Sequence, residues 1–358
     1  MTRIVLIGEA WGKDEAAARR PFVGATGREL NRLLEEAGLL PPGSARDISP
    51  NYSNFLWHKR DRIYAEAGIY PTNVLNLEPP GNRIEDLCGP KWGSLPPIRP
   101  GKYLREEFVP ELERLRKELT AERPNLIIGM GATALWFCLG RGSITKVRGA
   151  IAESPYGKFL PTFHPAFLFR GAMHLRPVVL FDLIKAGREA RYPEVRRPPR
   201  RIFIPESMED ILFCLREIIS APRISIDIET AGDQITCIGF AWAHNAALVI
   251  PIFDSRKTSK SYWPLETEQE VWRLIRHICT LPIPKVFQNG IFDMRFLWQQ
   301  YGITVKNAEH DTMLLHHALH PEVQKGLGFL GSIYTDEVSW KIMRPRGKET
   351  TIKDLKEE

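Results

Sequence analysis

Four short apolar runs in the first half of this chain are each followed by a helical pattern, and that alternation admits few folds. Ile4-Val5-Leu6-Ile7 ends at Gly8, and Ile69 to Leu75, Asn125 to Gly129 and Phe159 to Phe163 are the other three. Thr26 to Ala37 places Leu30, Leu33, Leu34 and Ala37 on one helical face. Gly38 is positioned to end that helix, and Pro41-Pro42-Gly43 keeps it from resuming. Glu106 to Leu119, Ala132 to Leu139 and Pro177 to Arg188 predict further helices. Strands alternating with helices call for a parallel or mixed sheet covered on both faces.

The pattern breaks at Tyr192 to Arg201, where Arg196, Arg197, Arg200 and Arg201 flank Pro198-Pro199. Proline keeps such a stretch extended, as a solvated hinge. Beyond it, Ser207 to Ile219 is helical, and Ile224 to Ile228, Thr236 to Ala243 and Ala247 to Ile252 follow as three successive strands, an antiparallel meander. Thr267 to Cys279 reads as a helix, Lys285 to Phe287 as a strand, and Phe292 to Gln300 and Asp311 to Leu319 as two more helices. The 358 residues therefore divide into two α/β domains, 1–190 and 202–358, joined by a linker at 191–201.

A net charge of +6, from 49 basic and 43 acidic residues, is compatible with a polyanionic partner without requiring one. The five cysteines are scattered, with no Cys-x-x-Cys pair, as expected of free thiols in a reducing compartment. No apolar run reaches the length of a membrane span. Met1-Thr2-Arg3-Ile4 enters a strand at once, so no signal peptide and no membrane partner are expected, and the cytoplasm is the expected location.

Two constellations carry chemistry. Asp227-Ile228-Glu229-Thr230 closes a strand, and alternate residues on a strand share a face, so Asp227 and Glu229 project together. Asn289-Gly290-Ile291-Phe292-Asp293 opens a helix downstream and adds a third carboxylate. Three hard-oxygen ligands suit magnesium or manganese beside a phosphodiester. With His310-Asp311-Thr312-Met313-Leu314 and Gly326-Leu327-Gly328-Phe329-Leu330, Tyr334-Thr335-Asp336 and Trp340-Lys341, this half resembles the proofreading 3′–5′ exonuclease domain of family A DNA polymerases, in its bacteriophage versions. The resemblance implies an RNase H-like mixed sheet, Asp227, Glu229 and Asp293 as catalytic metal ligands for Mg2+ or Mn2+, and contact of Asn289 with DNA. One carboxylate of that pattern is missing. Tyr334 is followed four residues on by Val338, and Leu315, Pro321 and Glu322 follow His310, His316 and His317 at the alternative spacing. The domain is read as C-terminally incomplete. Another polypeptide supplies the remainder, the chain is a fragment, or the exonuclease is crippled. Asp311 is read more readily as a helix cap than as a substitute ligand.

In the first half, Glu9 follows one strand, Asn73 ends another, and His164 follows a third, so the three should converge at one sheet edge with Phe22 nearby. Gly8-Glu9-Ala10, Pro21-Phe22-Val23-Gly24, Thr72-Asn73-Val74, Pro79-Pro80-Gly81-Asn82-Arg83 and Thr162-Phe163-His164-Pro165-Ala166, supported by Arg148-Gly149 and Asp182 with Lys185, resemble the uracil-DNA glycosylase superfamily, nearest its thermophile-type branch. The resemblance implies a three-layer α/β/α domain and a flipped-out base. Phe22 would stack on uracil, Asn73 would read its edge, His164 would stabilise the departing base, and Glu9 would orient water or stabilise the sugar cation. Trp11 stands where the branch usually has proline and would close the pocket or stack on a base. Arg148 and Arg170 would contact DNA. Leu77 replaces one of the branch's four cluster cysteines, so no iron–sulfur cluster is expected. An extra segment at Pro41 to Ile69 interrupts the usual spacing.

Joined, the two resemblances imply a DNA-processing protein of a phage replication system acting on single-stranded or primer–template DNA, part of or partner to a family A polymerase. The alternative is a catalytically impaired module that binds DNA or the polymerase.

Overall fold

A computed structural model describes residues 3–48, 54–140, 143–197 and 199–337, the side chains of 54–57 excepted. Pro198 of the linker and the Trp340-Lys341 pair lie outside the described residues. The chain forms two compact units, Met1–Arg196 together with Gly328 onward, and Arg197–Leu327.

In the first unit, β1 (Ile4–Ala10), α1 (Lys13–Ala18), α2 (Ala25–Glu36), α3 (Asn54–Glu66) and β2 (Ile69–Leu75) are followed by α4 (Val109–Glu122), β3 (Leu126–Met130), α5 (Ala132–Leu139), β4 (Ala152–Ser154), β5 (Gly157–Thr162) and α6 (Arg176–Glu189). The five-stranded sheet runs β2-β1-β3-β5-β4, parallel except for the β4–β5 pair. Val5, Ile7, Ile127 and Phe159 pack one face against Leu112, Leu115 and Leu119 of α4 and Ala134 and Leu135 of α5. α6 packs on β3 and β5 across the other face, beside α2. The chain leaves β1 for β2 on one side and returns to β3 on the other. That reversal opens a crevice at the carboxyl ends of β1 and β3.

The second unit contains β6 (Arg201–Phe203), α7 (Met208–Ile219), β7 (Ile224–Ala231), β8 (Gln234–Ala243), β9 (Ala246–Pro251), α8 (Leu265–Thr280), β10 (Lys285–Phe287), α9 (Gly290–Tyr301), β11 (Ala308–Asp311) and α10 (Thr312–Leu319). Its mixed sheet runs β11-β10-β7-β8-β9-β6, with β7, β8 and β9 as the antiparallel meander. Ser207 caps α7 by accepting from the Asp210 amide at 3.3 Å. Ile211, Cys214 and Ile218 of α7, Val271, Ile275 and Ile278 of α8, and Leu297 of α9 pack with Ile224, Ile226 and Ile228 of β7 in one core. A last helix, α11 (Leu327–Tyr334), belongs to the first unit from Gly328 on.

Candidate active sites

The carboxyl end of β1 carries the first site. Ile4 to Ile7 are at most 3% exposed, and the strand surfaces at the half-buried Glu9. Gly8 is paired with Asn73 of β2, and a Cβ on Gly8 would stand 2.1 Å from Asn73 Oδ1 and 2.9 Å from the Phe22 ring. Glycine is therefore what lets the amide and the ring close over the strand. Asn73 is 1% exposed, and its Nδ2 has no partner among the described residues. A buried donor left unpaired costs about 1–3 kcal/mol, a cost expected to persist only where a ligand meets it.

Phe22 adopts φ +57° and is 2% exposed. Its N–H donates to Glu15 Oε1, and its carbonyl accepts from Arg60 Nη1 at 3.2 Å. The same nitrogen donates to Pro21 O at 2.8 Å. A Cβ on Gly27 would lie 1.8 Å from Phe22 O, so the turn needs that glycine too. Burial pushes the Glu15 carboxyl up, and backbone donors from Gly12, Phe22 and Val23 and the charge of Arg60 oppose that shift.

Glu9 accepts from Thr133 Oγ1, just past β3, and lies 3.7 Å from Arg99 Nη2. His164 Nδ1 accepts from the Ala166 amide at 3.2 Å, which leaves the ring proton on Nε2. Burial, with the positive charge of Arg170 adding to it, lowers its pKa to about 4, so the imidazole is neutral at neutral pH. Glu9, Arg99, His164, Asn82, Phe163 and Arg170 stand in the wall of a cleft of about 470 Å3. Phe22 and Asn73 are buried and do not line that cleft, and the Phe22 and His164 rings are 6.2 Å apart. Trp11 is half-buried, and its Nε1 has no partner among the described residues. Arg148 is a correction. Expected to contact DNA, it is 2% exposed and bonded to Asp182 and Ser332 in the interior.

In the second unit, β7 alternates as expected, with Ile226 and Ile228 buried and Asp227 and Glu229 exposed on one face. Asp293 of α9 is 4% exposed, and its Oδ1 accepts from the Ile228 amide at 3.0 Å. Burial first, then the negative charges of Asp227 and Asp311, raise its pKa to about 6 against the pull of that amide. Asn289 sits in the left-handed region at φ +61°. Asp311 caps α10 through Met313 N at 2.8 Å and also accepts from Asn289 N at 3.1 Å and Gly290 N at 2.8 Å. It thus ties the starts of α9 and α10 together.

The expected cage is not preformed. Among the described residues no three His, Cys, Asp or Glu side chains are gathered to hold one ion. Asp293 has one oxygen on the strand backbone, and Asp311 is engaged by helix amides. The donor set is one that a hard divalent cation prefers. The repulsion felt by Asp293 is one such a cation would relieve.

A family model described as the uracil DNA glycosylase superfamily matches residues 1–182. The chain belongs to this superfamily. Type-4 uracil-DNA glycosylase of Thermotoga maritima is 32% identical over 194 residues, covering 52% of this chain and 76% of that enzyme. Its Archaeoglobus fulgidus counterpart is 30% identical over 177 residues, 46% of this chain and 65% of that enzyme. A 3′–5′ exonuclease family model matches residues 204–344. A DNA polymerase of Bacillus phage SP01 is 19% identical over 348 residues, covering 88% of this chain but 32% of the polymerase.

Residues 1–196 hold two cysteines, Cys88 and Cys138, fewer than the four thiolates of an iron–sulfur cluster. Cys88 Sγ donates to Ile84 O at 3.4 Å, Cys138 is buried in α5, and burial pushes both thiols up. Leu77 packs against the core. Four residues were not anticipated from the sequence: Glu15, Arg60, Arg99 and Thr133. Thr133 was within reach, since it follows the strand beside β1 at the same sheet edge. Arg60 lies in the extra segment and had no signal.

Proposed function

We propose that the first unit excises uracil from DNA and that the second carries metal-dependent 3′–5′ exonuclease chemistry. The observation that carries the first half is the meeting of Glu9 and a neutral His164 in one cleft, with the buried, unpartnered amide of Asn73 behind it. A flipped uracil would place its carbonyl edge against Asn73 Nδ2 and its ring against Phe22. Breaking the glycosidic bond sends the electron pair to the base, and the Nε2–H of His164 meets the charge developing on its oxygen. Glu9, held by Thr133 and Arg99, faces the sugar, where it stabilises positive charge and orients the water that adds to the anomeric carbon. The products are free uracil and an abasic site.

In the second unit Asp227, Glu229 and Asp293 would hold Mg2+ or Mn2+, which supplies an activated water and stabilises the leaving oxygen. A second reading has a specific observation behind it. With no ready three-ligand group among the described residues, the second unit could serve as a DNA- or polymerase-binding module. The partial match to a phage polymerase supports a replication setting with a family A polymerase domain as partner, and DNA as the common ligand.

End-labelled, uracil-containing single strands, incubated with and without magnesium or manganese, separate these readings. Alkali-labile breaks at uracil are expected of the first unit, and 3′ shortening with metal is expected of the second. Glu9→Gln should lower only the former, by at least a hundredfold, and Asp227→Ala only the latter. Binding without either reaction would leave the module.

A further inference from the structure

The first unit contains a cluster of charge unusual for an interior. Arg148, Asp182 and Lys185 are 2%, 1% and 1% exposed. Arg148 and Asp182 form a two-pronged pair, with Nε 3.0 Å from Oδ2, and Thr162 Oγ1 donates to the same carboxylate at 2.7 Å. Lys185, which makes no ion pair among the described residues, is buried beside that pair and feels the charge of Asp182. Within residues 1–196 the Lys185 ammonium donates to Gly149 O at 2.9 Å, and Arg148 Nη1 has no acceptor among the described residues there. Buried donors and charge in that state are strongly unfavourable.

The chain from α11 supplies what is lacking. Ser332 Oγ accepts from Arg148 Nη1 at 2.9 Å, and the backbone oxygens of Ser332 and Thr335 accept from Lys185 Nζ, the second at 2.6 Å. The Phe329 ring lies 5.1 Å from Arg148 Cζ, and Asp336 lies 3.4 Å from Arg188. The last carbonyls of a helix lack intrahelical donors and carry partial negative charge, so a buried ammonium there satisfies both. Gly149, at φ +73°, gives the clearance, since a Cβ would stand 2.6 Å from Asp182 Oδ1 and 3.1 Å from Ser332 O.

We propose that Arg148, Gly149 and Lys185 form a socket for the carboxyl end of α11. In sequence, the second unit is then an insertion between two segments of the first. The chemistry recognised is a helix end presenting bare carbonyls, a small hydroxyl and a flanking aromatic.

The test uses the full chain with a sequence-specific protease site built between Arg197 and Arg200. After complete cleavage the two pieces should co-elute in gel filtration at micromolar concentration. Lys185→Met, which keeps the volume and removes the charge, should weaken their association at least tenfold, and a chain ending at Lys325 should release its pieces on cleavage. Pieces of the unsubstituted protein that separate at once, or that stay together equally well without α11, overturn the proposal. Amide hydrogen exchange on the uncut, unsubstituted chain gives a readout independent of any variant. Protection at Gly331 to Thr335 comparable to that of β1 is expected, and free-peptide rates there contradict the socket.

Discussion

A bulky residue at φ +57° is costly, and Phe22 holds that conformation because its two peptide groups are gripped from opposite sides by Glu15 and Arg60. Arg60→Ala removes the grip on both carbonyls of the turn. Loss of about 1–3 kcal/mol of stability is expected in thermal melting. A roughly tenfold rise in KM for uracil-containing strands, larger than the change in kcat, is expected from misplacement of the ring by order 1 Å. Arg60→Lys should recover part of it. His164 gives a pH test. Its folded pKa of about 4 lies below the ordinary 6.5, so above pH 6.5 both folded and unfolded chains are neutral and its contribution is whole. Between pH 6.5 and 4 the unfolded chain alone takes the proton, and stability falls as pH falls. Uracil excision should accordingly stay level from pH 8 to about 5, and Arg170→Ala should move the acid limb upward.

At the scale of elements, local signals located most of the secondary structure. The three-strand meander, the capped helix at Met208–Ile219 and the short strand at Lys285–Phe287 each follow from alternation, a capping serine or a compact apolar run. Several elements had no such signal, α1, β4 and β6 among them. α3 is only weakly amphipathic, and the exposed Ala-Glu-His-Asp of β11 is a strand through its pairing with β10. α11 owes its position to distant charges in the first unit. The sites divide in the same way. Glu9, Asn73 and His164 were legible because strand ends set their edge. The burial of Arg148 was not, since its partners lie 34 and 184 residues away. For the β7–α9 pair, the folded pKa of Asp293, about 6, exceeds the ordinary 3.8. Between pH 3.8 and 6 the folded form keeps a proton the unfolded form has lost, so stability falls as pH rises through that window and stays lower above it. Asp293→Asn should therefore raise the melting point of the second unit at pH 7–8, with no gain below about pH 4. Added Mg2+ or Mn2+ should raise the melting point of the unsubstituted unit and leave the Asn variant unmoved, as differential scanning fluorimetry can read.

For the whole molecule, the connectivity matters as much as either site. The glycosylase unit is closed by residues that lie beyond the whole exonuclease-type unit in the sequence. On the ribosome, Met1–Arg196 emerges first but lacks α11 until all of Arg197–Leu327 has been made. At about 5–20 residues per second that is a delay on the order of ten seconds. During that interval a nascent chain holds Arg148 without the Ser332 hydroxyl and Lys185 without the carbonyls of Ser332 and Thr335. The unit whose synthesis begins first is thus the last to receive all of its residues.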